Sequence, residues 1–121
     1  MADKLDKAFA LQREFMTMLV EHDKFPEFPV DLSTKPGQRF VKECTFNCIA
    51  ELMEATVVLK NKMHRLSDDT EVDIPHYREE IGDAYAFLME ICILSGMSAQ
   101  DLYDEFARKN SIVRNRLAEG Y

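Results

Sequence analysis

A chain of 121 residues with 46% hydrophobic and 31% charged content has the size and balance to bury a single core, which excludes a disordered or collagen-like polypeptide. Fifteen Lys and Arg against 22 Asp and Glu leave a formal net charge of −7. That balance repels polyphosphate backbones and anionic bilayers, so neither nucleic acid nor membrane is expected as a partner, and any phosphate chemistry would need metal cations.

Apolar runs of a few residues fall far short of the roughly 20 that cross a bilayer, and the opening MADKLDKAF lacks a signal-peptide pattern, so a reduced, cytoplasmic setting is expected. Cys44, Cys48 and Cys92 are an odd number with no His or further Cys nearby to complete a zinc quartet. They read as core packing, not as disulfides or metal ligands.

Apolar residues recur at three- and four-residue spacings through four segments and nowhere alternate, which predicts an all-α protein forming one domain over residues 1–121. The first helix is expected from about Asp3 to Glu21, with Leu5, Phe9, Gln12, Met16 and Leu19 on one stripe. Pro26, Pro29 and Pro36 mark the following stretch as a loop. The second helix is expected from about Gly37 to Leu66, ending in a turn at Ser67 to Thr70. Pro75 suits the first turn of the third helix, Gly96 its left-handed end, and Ser98 to Asp101 a capping box that opens a fourth helix reaching about Leu117.

The second helix is apolar on two faces, with Val41, Cys48, Leu52 and Leu59 on one and Phe46, Ile49, Met53 and Val57 on the other, so it should be central. Between them runs a polar stripe of Glu43, Asn47, Glu51, Glu54 and Asn61 that helix geometry carries inward. Glu51 and Glu54 project from one face at a spacing of three. Glu80 and Asp83 repeat that spacing on the third helix, flanked by an apolar stripe of Tyr77, Ile81, Ala84, Leu88 and Cys92. If these helices pack antiparallel, four carboxylates converge, and their repulsion calls for raised pKa values or divalent cations. An all-oxygen donor set favours Mg²⁺ or Mn²⁺ over zinc.

Glu51-Leu-Met-Glu54 followed by Glu80-Ile-Gly-Asp83 resembles the ExxE…ExxD signature of the all-α nucleoside triphosphate pyrophosphohydrolases, the group of MazG-type enzymes and dimeric dUTPases. Ile93 to Ser98, then Lys109-Asn110 and Arg116…Gly120-Tyr121, look most like the dimeric dUTPase branch, although Val113 and Leu117 stand where that tail often has Asn and Gln. The resemblance implies a four-helix MazG-like bundle, assembled as a homodimer or tetramer. It also implies Mg²⁺-dependent hydrolysis of a deoxynucleoside triphosphate, dUTP first and dCTP second, to the monophosphate and pyrophosphate, with Mn²⁺ as substitute. Glu51, Glu54, Glu80 and Asp83 would be the catalytic metal ligands, and Glu51 would also orient or deprotonate the attacking water.

On the fourth helix Ala99, Leu102, Phe106, Lys109, Val113 and Arg116 share a stripe, which makes Lys109 and Arg116, with Asn110 beside them, candidate phosphate ligands. Gln12, an amide within an apolar stripe, offers the donor and acceptor that a pyrimidine edge requires. Phe15, Tyr85 and Phe87 are possible stacking groups, whereas His22, His64 and His76 match no site. Competing readings are a broad or purine-directed MazG-type pyrophosphatase and a non-catalytic helical module whose acidic stripe binds a basic partner. Metal dependence and a substrate panel separate the three.

Overall fold

Two local hydrogen-bond devices start the first and last helices of this chain. Asp3 Oδ1 accepts from the Asp6 amide at 2.9 Å while the Asp3 amide donates to Asp6 Oδ2 at 3.3 Å. Ser98 and Asp101 repeat the reciprocal arrangement at 3.1 and 2.9 Å. Each box satisfies amides that the first helical turn leaves without partners. The computed structural model describes residues 2–59 and 71–120, and these form α1 (Lys4–Glu21), α2 (Lys35–Val58), α3 (Ile74–Leu94) and α4 (Ala99–Ala118), with no strand among the described residues. The all-α expectation is borne out. No single helix among them is long and apolar enough to cross a membrane.

Helix α2 starts two residues earlier than its sequence suggests, because Thr34 serves as the cap. Its Oγ1 accepts from the Gly37 amide at 3.1 Å, and Pro36 occupies the first turn, where no amide is needed. The described helix ends at Val58, where Leu59 adopts φ −83° and ψ 87°, and residues 60–66 of the expected span lie outside the described residues. The sequence between Val58 and Leu66 carries no glycine or proline to announce that stop. Asn61, His64 and the turn at Ser67 to Thr70 lie outside the described residues. Helix α3 has Pro75 in its first turn and is followed by Gly96 at φ +80°, both as expected.

The chain divides into two compact units. One comprises residues 2–30 and 92–120, the other 31–59 and 71–91. In the first, Phe9 and Met16 of α1 are buried with Leu5, Gln12 and Leu19 half-buried, so the α1 stripe is the one anticipated. Cys92, Ile93, Leu94 and Ala99 complete that core, α1 touches α4, and the Val30 amide donates to the Leu94 carbonyl at 2.9 Å. On α4 only Ala99 is buried. Phe106 and Val113 of the anticipated inward stripe are exposed, while Leu102, Ala107 and Ile112 are half-buried, so the covered arc of α4 differs from the one inferred.

In the second unit α2 and α3 run antiparallel. The pairs Cys44 with Glu90, Cys48 with Ala84 and Glu51 with Glu80 advance along one helix as they recede along the other. Cys48 Sγ donates to the Ala84 carbonyl at 3.3 Å, a close approach that small side chains permit. The buried positions of α2 are Gly37, Cys44, Ala55 and Val58. Of the two large-residue faces proposed for α2, the one formed by Phe46, Ile49, Met53 and Val57 is exposed throughout, and the other is corrected in part, since Leu52 and Leu59 are exposed while Val41 and Cys48 are half-buried. Ile81 and Leu88 of the anticipated α3 stripe are exposed too, whereas Met89 and the acid Glu90 are buried.

Candidate metal centre

Glu51 and Glu54 come from adjacent turns of α2, and the antiparallel register brings Glu80 of α3 opposite them. One carboxylate oxygen from each of the three lies within 4.8 Å of the others. That separation is close to the ~4.2 Å between opposite oxygens around a Mg²⁺ ion with ~2.1 Å bonds, so a small contraction would close the set on one hard cation. Glu51 is half-buried, Glu54 exposed, and Glu80 only 9% exposed. Two oxygens, Glu51 Oε2 and Glu80 Oε2, are buried without a hydrogen-bond donor. A carboxylate withdrawn from water needs a donor or a cation, and here the all-oxygen donor set fits a divalent ion such as Mg²⁺ or Mn²⁺.

Without metal, a proton eases the repulsion. A hydrogen bond shared with Glu80, burial, and the charge of Glu54 push the Glu51 carboxyl up to about 7. Glu80 is held below its ordinary value, chiefly because it accepts that same bond and also because His76 lies against it, with burial acting in the opposite direction. A proton on Glu51 thus supplies the donor that two ionised carboxylates would lack. Metal binding would release it.

His76 is the residue that sequence reasoning passed over. It precedes Glu80 by one turn of α3, and its Nε2 lies 3.1 Å from Glu80 Oε1. The His76 backbone amide donates to Asp73 Oδ1 at 3.1 Å, which secures the first turn of α3. Glu54, Val57, Val58, Asp73, His76 and Glu80 line a cleft of about 430 Å³. The i, i+4 spacing of His76 and Glu80 was visible in the sequence, but its meaning depended on Glu80 facing α2.

Asp83, expected as a fourth ligand, is exposed and stands outside the trio of converging oxygens. Gln12 is half-buried, while Lys109, Asn110 and Arg116 are exposed, and all four belong to the other unit. Phe15 and Tyr85 are exposed and Phe87 half-buried. No family model, curated protein or solved structure matches the chain.

Proposed function

We propose that this protein is a divalent-metal-dependent nucleoside triphosphate pyrophosphohydrolase of the MazG-like all-α group, with dUTP as its first substrate and dCTP as the next. The observation that carries the reading is the meeting of Glu51, Glu54 and Glu80, two of whose buried oxygens have no donor, beside a cleft large enough for part of a nucleotide. A net charge of −7 would repel a triphosphate, and a cation at this cluster removes that objection locally.

Glu51, Glu54 and Glu80 would hold the ion, with Asp83 on the next turn of α3 joining by a change of side-chain rotamer. The bound cation supplies charge neutralisation at the phosphoryl oxygens and a lowered pKa for water. Glu51 accepts a hydrogen bond from the attacking water and orients it toward the α/β phosphoric anhydride, which is cleaved to the monophosphate and pyrophosphate. Glu54, the most exposed of the three, faces the cleft from which substrate enters. By the resemblance alone, Lys109, Asn110 and Arg116 are the candidates for the phosphate chain and Gln12 for the base edge.

Self-association belongs to the same reading. Phe46, Ile49, Met53 and Val57 follow one arc of α2 and are all at least half-exposed in the single chain, an apolar stripe that a second copy would cover as a homodimer or tetramer.

The deciding experiment measures pyrophosphate release from the common deoxynucleoside and ribonucleoside triphosphates with Mg²⁺, with Mn²⁺ and with EDTA. Metal-dependent release with dUTP fastest is the expected result. Faster purine hydrolysis would remove the dUTP assignment, and the absence of release from every substrate would refute the enzymatic reading.

A further inference from the structure

Glu80 is held on one oxygen by its own helix, and its other oxygen has no donor from outside the carboxylate cluster. The His76 imidazole meets Oε1 at 3.1 Å, whereas Oε2 is buried with no donor, in a residue only 9% exposed. The Glu80 side chain therefore has one oxygen anchored by its own helix and one available to the cluster shared with Glu51 and Glu54. With Glu80 ionised, His76 Nε2 carries the proton and donates, which fixes the tautomer. His76 is itself anchored, because Asp73 Oδ1 accepts its backbone amide and so pins the turn from which the ring extends.

We propose that His76 is a positioning residue for the metal centre: its Nε2–H fixes the rotamer of Glu80 so that the second carboxylate oxygen stays committed to a divalent cation shared with Glu51 and Glu54. The inference rests on the metal-centre reading above and deepens it. The chemistry is that of a carboxylate ligand oriented by a hydrogen bond to its non-ligating oxygen, an arrangement whose loss typically weakens metal binding about 10- to 100-fold. A glutamate without such a hold has three rotatable bonds to immobilise when the ion arrives, and a pre-set one does not. His76 also lines the cleft with Glu54, Asp73 and Glu80, so the imidazole and the carboxylate it positions border the same space. The ring is half-exposed, its side chain being 51% accessible, and therefore contributes little to the core.

The test is titration of the purified full chain with Mn²⁺, following the free-ion paramagnetic resonance signal, for the wild type, His76→Ala and His76→Gln. Circular dichroism in EDTA checks the fold of each. A glutamine amide can donate to Glu80 Oε1 from the same helical position, so it should restore what alanine loses. The expected result is a Kd for Mn²⁺ about tenfold weaker in His76→Ala and within about threefold of wild type in His76→Gln, with unchanged helicity. Wild-type affinity in His76→Ala would overturn the proposal while leaving the metal centre standing. Equal loss in both variants would also overturn it, since the imidazole would then be needed as a ligand and not as a donor. Should His76→Ala fail to fold, His76→Leu supplies comparable bulk without a donor and is read in the same way. Failure of the wild type to bind Mn²⁺ at millimolar-range concentration would refute the metal centre itself, and the positioning role with it.

Discussion

Glu90 is a buried acid that the proposed chemistry does not use, and neutralising it should stabilise the protein at alkaline pH. The residue is 6% exposed, and burial pushes its carboxyl from 4.5 up to about 7. The Cys44 thiol beside it is itself driven up to about 12 by burial, then by the charges of Glu90 and Glu43, and so stays neutral across the working range. In the folded state Glu90 thus keeps its proton to higher pH than in the unfolded chain. Its contribution is fully present below pH 4.5 and is lost as pH rises through about 7. At about 1.36 kcal/mol per pH unit the full displacement corresponds to about 3.4 kcal/mol, and screening by water around so small a unit brings the expectation to about 1–2 kcal/mol.

Glu90→Gln keeps the size and hydrogen-bonding capacity of the protonated acid but cannot ionise. Urea unfolding followed by circular dichroism from pH 4 to pH 8 should show the variant equal to wild type at the acid end and more stable by about 1–2 kcal/mol at pH 8. The Glu51 and Glu80 pair titrates in both proteins, so its effect cancels in the difference. A difference independent of pH, or a variant less stable at pH 8, would refute the reasoning.

Glu51→Gln should abolish metal-dependent turnover and remove the rise in thermal midpoint that Mg²⁺ gives the wild type, while leaving the metal-free fold intact; differential scanning fluorimetry with Mg²⁺ and with EDTA reads both effects. Gly37→Ala should destabilise by about 2–3 kcal/mol despite the better helix propensity of alanine, because its Cβ would meet the Asp31 carbonyl oxygen at 2.1 Å and the Asp31 carbonyl carbon at 2.9 Å; chemical denaturation checks the sign. Gln12→Ala should narrow the ratio of kcat/KM between dUTP and purine triphosphates more than it lowers phosphate chemistry on dUTP, and an unchanged ratio would remove Gln12 from base recognition.

Helix boundaries set by interactions three residues apart were legible from the residues alone. The capping box at Ser98 and Asp101, the proline in the first turn of α3, the glycine after it and the buried stripe of α1 all depend on neighbours along the chain, and each stands where the pattern puts it. The pairing of Glu51 and Glu54 was equally local, since a spacing of three on a helix puts both on one face whatever else the chain does.

Tertiary structure decided what those faces meet. The register of α2 against α3 put Glu80 opposite Glu51, left Asp83 exposed, gave His76 a partner and buried Glu90 in place of Ile81 and Leu88. Helix periodicity specifies an arc of residues, but two apolar arcs on α2 compete for one partner helix. The arc that allows close approach, through Cys44, Cys48 and Ala55, is covered, and the bulkier arc of Phe46, Ile49, Met53 and Val57 stays open in the single chain. Packing distance between helices is set by side-chain volume at the crossing, a property of both helices together, and a reading of either sequence segment by itself does not contain it.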